Sequence, residues 1–129
     1  MQRKMKCNIA LFSIGGISYG FIEILWRRYT HWSMVLTGGL CFTLLYKIFK
    51  KLVGFALWKK CLIGSTVITT VEFFVGCIVN LYAKLDVWDY SKMPANFCGQ
   101  ICLLYSVLWG FLTIPISFIC NALKNKFNL

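Results

Sequence analysis

The chain has 129 residues, of which 59% are hydrophobic and 14% charged, and its formal net charge is +10. Soluble domains carry about 25% charged residues, so this composition excludes an ordinary soluble globular protein and leaves no length for a separate soluble domain. The positive charge does not point to nucleic acid, because the lysines and arginines flank apolar runs and do not line a helix face.

A membrane-crossing helix needs about 20 largely apolar residues. The first candidate is 7–26. It follows a short basic stretch, Arg3, Lys4 and Lys6, but has no small-residue cleavage site after it. An uncleaved first membrane helix is therefore expected rather than a signal peptide. The second candidate is 32–49, separated from the first by only five residues, 27–31, which predicts a tight antiparallel hairpin. Between lysines at 50–51 and 59–60 lies the apolar piece 52–58. It is too short to cross as a helix, so a short interfacial helix, or an extension of a neighbouring helix, is expected there. The third candidate is 61–82 and the fourth 98–122. The connection between them, 83–97, holds Asp86 and Asp89, with Trp88 and Tyr90 suited to a headgroup-level aromatic belt. Pro94 interrupts helix there, and Asn96 is a plausible N-cap for the fourth helix.

The expected architecture is thus an all-α membrane protein in a single domain, 1–129, with four transmembrane helices arranged as two antiparallel hairpins. With four spans, both termini and the second loop share one side of the membrane. Those regions carry Arg3, Lys4, Lys6, Lys47, Lys50, Lys51, Lys59, Lys60, Lys124 and Lys126, against Arg27, Arg28, Lys84 and Lys92 on the other side. The positive-inside rule then places both termini in the cytoplasm.

Two of the four acidic residues fall inside apolar spans. Glu23 lies near the outer end of the first helix and Glu72 near the middle of the third. A carboxyl at bilayer depth costs roughly 2.5–3.5 kcal/mol on insertion scales, so such residues face a partner, a cavity or a substrate path. Each belongs to a one-faced stripe. Ser13, Gly16, Gly20, Glu23 and Arg27 share a face of the first helix, and Ser65, Thr69, Glu72, Gly76 and Asn80 share a face of the third. Ser106, Gly110, Thr113 and Ser117 do so in the fourth. Close helix packing accounts for the glycines and serines. It does not account for the carboxyls. Arg27, one turn from Glu23, can offset its burial; Glu72 has no basic residue within a turn on its own helix.

Each glutamate also stands eight residues before a polar residue at the outer end, His31 and Asn80 respectively, a spacing that an internal two-hairpin repeat would produce. The expected topology gathers an outer polar cluster of Arg27, Arg28, His31, Asp86, Asp89, Asn96 and Gln100. Asp86 and Asp89 are not at a diagnostic metal spacing, and no metal or cofactor is expected. The seven cysteines include no C-x-x-C pair, and their odd number argues against a full disulfide framework.

Several of these residues carry a family resemblance. They are Gly20-Phe21-Ile22-Glu23, His31-Trp32-Ser33, Glu72-Phe73 with Asn80, Trp88-Asp89-Tyr90-Ser91, Pro94-Ala95-Asn96, Gly99-Gln100-Ile101-Cys102-Leu103 and Ser106 with Trp109-Gly110. From about Ile14 to Gly110 the chain resembles the small membrane proteins grouped as ABC-transporter type IV, the CmpB-like permeases. The resemblance implies a polytopic membrane protein of the permease kind in a bacterial cell membrane. The chain carries no G-x-x-x-x-G-K-[ST], so ATP hydrolysis would fall to a separate nucleotide-binding subunit. Lys47 to Lys60 offers a surface to dock it, or to bind anionic lipid.

Three functions remain open at this level. The first is a transport component, homo- or hetero-oligomeric because four helices are few to enclose a path. Its polar path would involve Glu72, Glu23 and Asn80. The second is a membrane-embedded enzyme acting on a lipid or lipid-phosphate substrate at the outer leaflet. There Glu23, His31, Asp86 and Asp89 would act as acid, base or metal ligands, and Arg27 and Arg28 would hold phosphate. The third is a non-catalytic assembly subunit. With no catalytic signature in the chain, transport is the leading expectation.

Overall fold

The computed structural model describes residues 2–28, 30–52 and 54–127. Four helices dominate it: α1 (Gln2–Arg27), α2 (Trp32–Lys51), α3 (Leu57–Gly76) and α4 (Leu103–Phe127). The end of α3 runs on through wider π-helical turns over Cys77–Tyr82. A two-residue antiparallel ribbon, β1 (Asn96–Phe97) and β2 (Ile101–Cys102), precedes α4. All four helices are long and apolar enough to cross a membrane, and the protein is a multi-pass membrane protein.

The helices differ from the sequence expectation mainly at their ends. α1 begins at Gln2 instead of residue 7, because Gln, Arg, Lys and Met are all good helix formers and simply extend the apolar segment. The short interfacial helix expected at 52–58 is not seen among the described residues. Leu52 caps α2, Gly54 turns the chain at φ +89°, and α3 takes Leu57 and Trp58 into its own first turn. Val53 of that segment and Tyr29 of the first outer loop lie outside the described residues. The fourth helix starts at Leu103, not at residue 98, so Asn96 is not its N-cap. Cys98 and Gly99 both adopt positive φ, +55° and +71°, which closes the β1–β2 ribbon and cannot be continued as a right-handed helix.

The chain forms two compact units, residues 1–54 with 115–129, and residues 55–114. In the first, α1 and α2 pack antiparallel. Their backbones approach so closely that a Cβ on Gly38 would overlap the Cβ of Tyr19, and one on Gly15 would overlap Phe42. Small residues at a seam are the usual means of close helix approach in lipid. The buried stripe of α1 is Leu11, Gly15, Gly16, Gly20 and Glu23. Ser13, expected on that stripe, is exposed.

In the second unit, α3 packs antiparallel to the first half of α4. The Ser65 hydroxyl donates to the carbonyl of Ser106 at 2.6 Å, and the Thr69 hydroxyl to Ser106 Oγ at 3.0 Å. Gly64 abuts Thr113, which is fully buried. Hydroxyl groups in a lipid-embedded helix need partners. Thr37, Thr43, Thr66, Thr70 and Thr113 find theirs in the carbonyl one turn back, at 2.7–2.9 Å. Pro115, inside α4, falls at the boundary between the two units. The many exposed large apolar side chains, such as Ile17, Phe21, Phe74 and Phe111, are those a lipid-facing surface requires.

Candidate functional site

Within the second unit, polar groups run along the inward face of α3. Its buried residues are Gly64, Ile68, Glu72 and Gly76, four-residue steps that keep them on one face. Glu72 is only 5% exposed. Toward the start of α3 from Glu72 come Thr69 and Ser65, linked through Ser106 by the hydroxyl bonds described above. Toward the end come Gly76 and then Asn80 in the π-helical turns.

Asn80 is buried and joins three other residues. Its Nδ2 donates to Gln100 Oε1 at 2.8 Å, and its Oδ1 accepts the backbone N–H groups of Val87 at 2.7 Å and Trp88 at 3.3 Å. Gln100 Nε2 donates to the carbonyl of Cys98, and the Trp88 indole N–H donates to the carbonyl of Gln100 at 2.9 Å. A Cβ on Gly76 would meet Gln100 Oε1 at 2.6 Å, so the glycine lets the loop seat against α3. This network ties residues 83–102 onto the end of α3. Trp88, expected in an aromatic belt, is instead buried inside it.

The rest of the loop is self-supporting. Asn96 Nδ2 donates to the carbonyls of Met93 at 2.8 Å and Ser91 at 3.2 Å, while its Oδ1 accepts from the N–H of Gly99. Asp89 Oδ1 accepts from the N–H of Ser91 at 2.9 Å. That bond, with the Ser91 hydroxyl and the Lys92 charge, holds the Asp89 carboxyl below its ordinary value. Asp86 is exposed, in a left-handed turn at φ +52°. Tyr90 stacks on Tyr105 of α4 with ring centroids 4.8 Å apart.

In the first unit, Glu23 is 6% exposed. The Tyr19 hydroxyl donates to its Oε1 at 3.0 Å, and Arg27 Nε stands 3.4 Å from its Oε2. Arg27 is thus the partner its spacing predicted, while Tyr19, one turn earlier, is a partner the polar-stripe pattern passed over. His31 caps α2: its Nδ1 accepts the Ser33 N–H at 3.2 Å and lies 2.7 Å from the Ser33 hydroxyl. Arg28 is exposed with φ +66°.

The residues expected to form one outer cluster therefore divide between the two units. Arg27, Arg28 and His31 belong to the first with Glu23, and Asp86, Asp89, Asn96 and Gln100 to the second with Asn80. Among the described residues, no three His, Cys, Asp or Glu side chains stand together as metal ligands would.

The sequence model of the family described as "Putative ABC-transporter type IV" covers residues 10–128, which takes in nearly all of the four helices and the loop network. No solved structure matches the chain.

Proposed function

The chain belongs to the ABC-transporter type IV family, and from that premise we propose that it is the membrane-embedded part of a transport system whose path is marked by Glu72. The observation that carries this reading is the position of Glu72. It is buried midway along an apolar helix, in line with the Ser65, Ser106 and Thr69 hydroxyls on one side and the Asn80 and Gln100 amides on the other. A carboxyl kept at that depth against its insertion cost suits the binding of a proton, a cation or a cationic substrate. Glu23, held by Arg27 and Tyr19 near the far end of α1, would stand at the outer gate. Asn80 shapes the outer end of the path by fixing the loop above it.

By the positive-inside rule the basic residues would orient the chain with both termini cytoplasmic, and the family resemblance implies a bacterial cell membrane. The cytoplasmic face then presents Lys47, Lys50 and Lys51 of the lysine-rich segment to a separate nucleotide-binding subunit, and assembly into an oligomer completes the path. Accessibility tests the reading. In a chain whose seven native cysteines are replaced by alanine, Glu72→Cys is expected to react with a small membrane-impermeant methanethiosulfonate. Phe74→Cys, at an exposed apolar position two residues away, is expected not to react. Absence of reaction at both positions contradicts a hydrated path at Glu72.

A further inference from the structure

An open groove of about 740 Å³ runs between α3 and the first half of α4. That volume lies within the range of roughly 300–1,000 Å³ typical of sites that hold a small molecule. Its walls are apolar and include Trp58, Leu62 and Phe111; its floor is Ser65, Ser106 and Gly110. The floor presents little that is polar. The Ser65 hydroxyl is already given to the Ser106 carbonyl, and the Ser106 hydroxyl already accepts from Thr69.

Gly110 is not required for helix contact. A Cβ there would stand 3.7 Å from Ser65 Cβ and 3.8 Å from the Cys61 carbonyl, ordinary contact distances. The missing side chain deepens the groove instead. From Leu57 to Ser65 the groove covers about 12 Å of helix. One leaflet of hydrocarbon is about 15 Å deep, half of the roughly 30 Å core.

Two lysines flank the groove beside its Leu57–Trp58 end. Lys59 and Lys60 follow Trp58 directly, and the Lys59 ammonium sits 5.5 Å from the Trp58 ring centroid and 5.8 Å from that of Phe55. Aromatic rings thus hold a cation at the start of α3, the end of the span where an interfacial lysine is expected. We propose that this groove is a binding site for one anionic phospholipid, with an acyl chain lying between α3 and α4 and the headgroup at Lys59 and Lys60. The shape selects hydrocarbon one leaflet long, and the lysines select an anionic over a zwitterionic headgroup. The proposal is independent of whether Glu72 lines a transport path.

Native mass spectrometry of the full chain in detergent, with added phosphatidylglycerol or phosphatidylcholine, tests it. The wild type is expected to retain one phosphatidylglycerol and to release phosphatidylcholine. Gly110→Leu, which fills the groove, is expected to lower phosphatidylglycerol retention at least roughly 10-fold, with Leu62→Trp as a second filling variant should the first not fold. Gly110→Ala should retain the lipid. Reversal of both lysines, Lys59→Glu with Lys60→Glu, should cost roughly 30-fold at low salt, with most of the loss appearing as salt-sensitive affinity. Equal retention of the two lipids overturns the proposal. So does retention that survives both filling variants, which would leave only a headgroup surface. A lipid-free dimer broken by Gly110→Leu would overturn it in favour of a second copy in the groove.

Discussion

Asn80 and Gln100 lie twenty residues apart and are joined side chain to side chain, Asn80 Nδ2 donating to Gln100 Oε1 at 2.8 Å. The pair is buried, and its remaining bonds hold Val87, Trp88 and the Cys98 carbonyl. Asn80→Leu removes the acceptor for two backbone N–H groups and the donor to one amide oxygen. The expected cost is about 2–4 kcal/mol, with faster amide exchange across residues 83–102. Stability and exchange equal to wild type would show that the loop is held by other contacts.

Glu23 and Arg27 form a pair in which the acid is the more deeply buried, with 8% of its side chain exposed against 23% for the arginine. Removing the arginine leaves the buried acid with the Tyr19 hydroxyl but without its counter-charge, whereas removing both charges does not. Arg27→Met is therefore expected to lower stability by about 1–3 kcal/mol, and the double variant Glu23→Gln, Arg27→Met to recover most of that. Thermal unfolding in detergent of the two single variants and the double variant completes the cycle.

Two glycines of the second unit should respond in opposite ways. A Cβ on Gly64 would collide with the Thr113 side chain, which is wholly buried, while one on Gly110 meets nothing closer than 3.7 Å. Gly64→Ala is expected to cost about 1–3 kcal/mol. Gly110→Ala is expected to be neutral or to gain up to about 1 kcal/mol from helix propensity. Equal losses would place α4 closer to α3 at Gly110 than the structure does.

The turn at Asp89 should depend on acid. Its carboxyl is held below its ordinary value by the Ser91 N–H, so the interaction is complete above the unfolded-chain value and is lost as pH falls through the lowered one. Amide exchange over residues 88–93, taken as the difference between wild type and Asp89→Asn, is expected to show protection at neutral pH that vanishes in acid. A pH-independent difference would contradict the assignment.

Most of the architecture was legible in the chain because apolar length and flanking lysines are what a bilayer reads. The Glu23–Arg27 pair was legible because i, i+4 spacing fixes it locally. The boundaries were less so. The start of α4 depends on positive φ at Cys98 and Gly99, and only the glycine announces that in sequence. The burial of Trp88 depends on Asn80 and Gln100 meeting across twenty residues, a long-range contact no local pattern encodes. The assignment of Asn96 and Gln100 to the unit of Asn80 rests on contacts of the same long-range kind.

The central claim, that Glu72 marks the transport path, is tested most directly by flux. In proteoliposomes loaded with a pH-sensitive dye, together with the nucleotide-binding subunit if that is what starts turnover, the wild type is expected to move protons or cations under an imposed gradient. Glu72→Gln is expected to abolish that movement while keeping wild-type thermal stability, and Glu23→Gln to slow it without abolishing it. Wild-type flux from a folded Glu72→Gln protein would contradict the account.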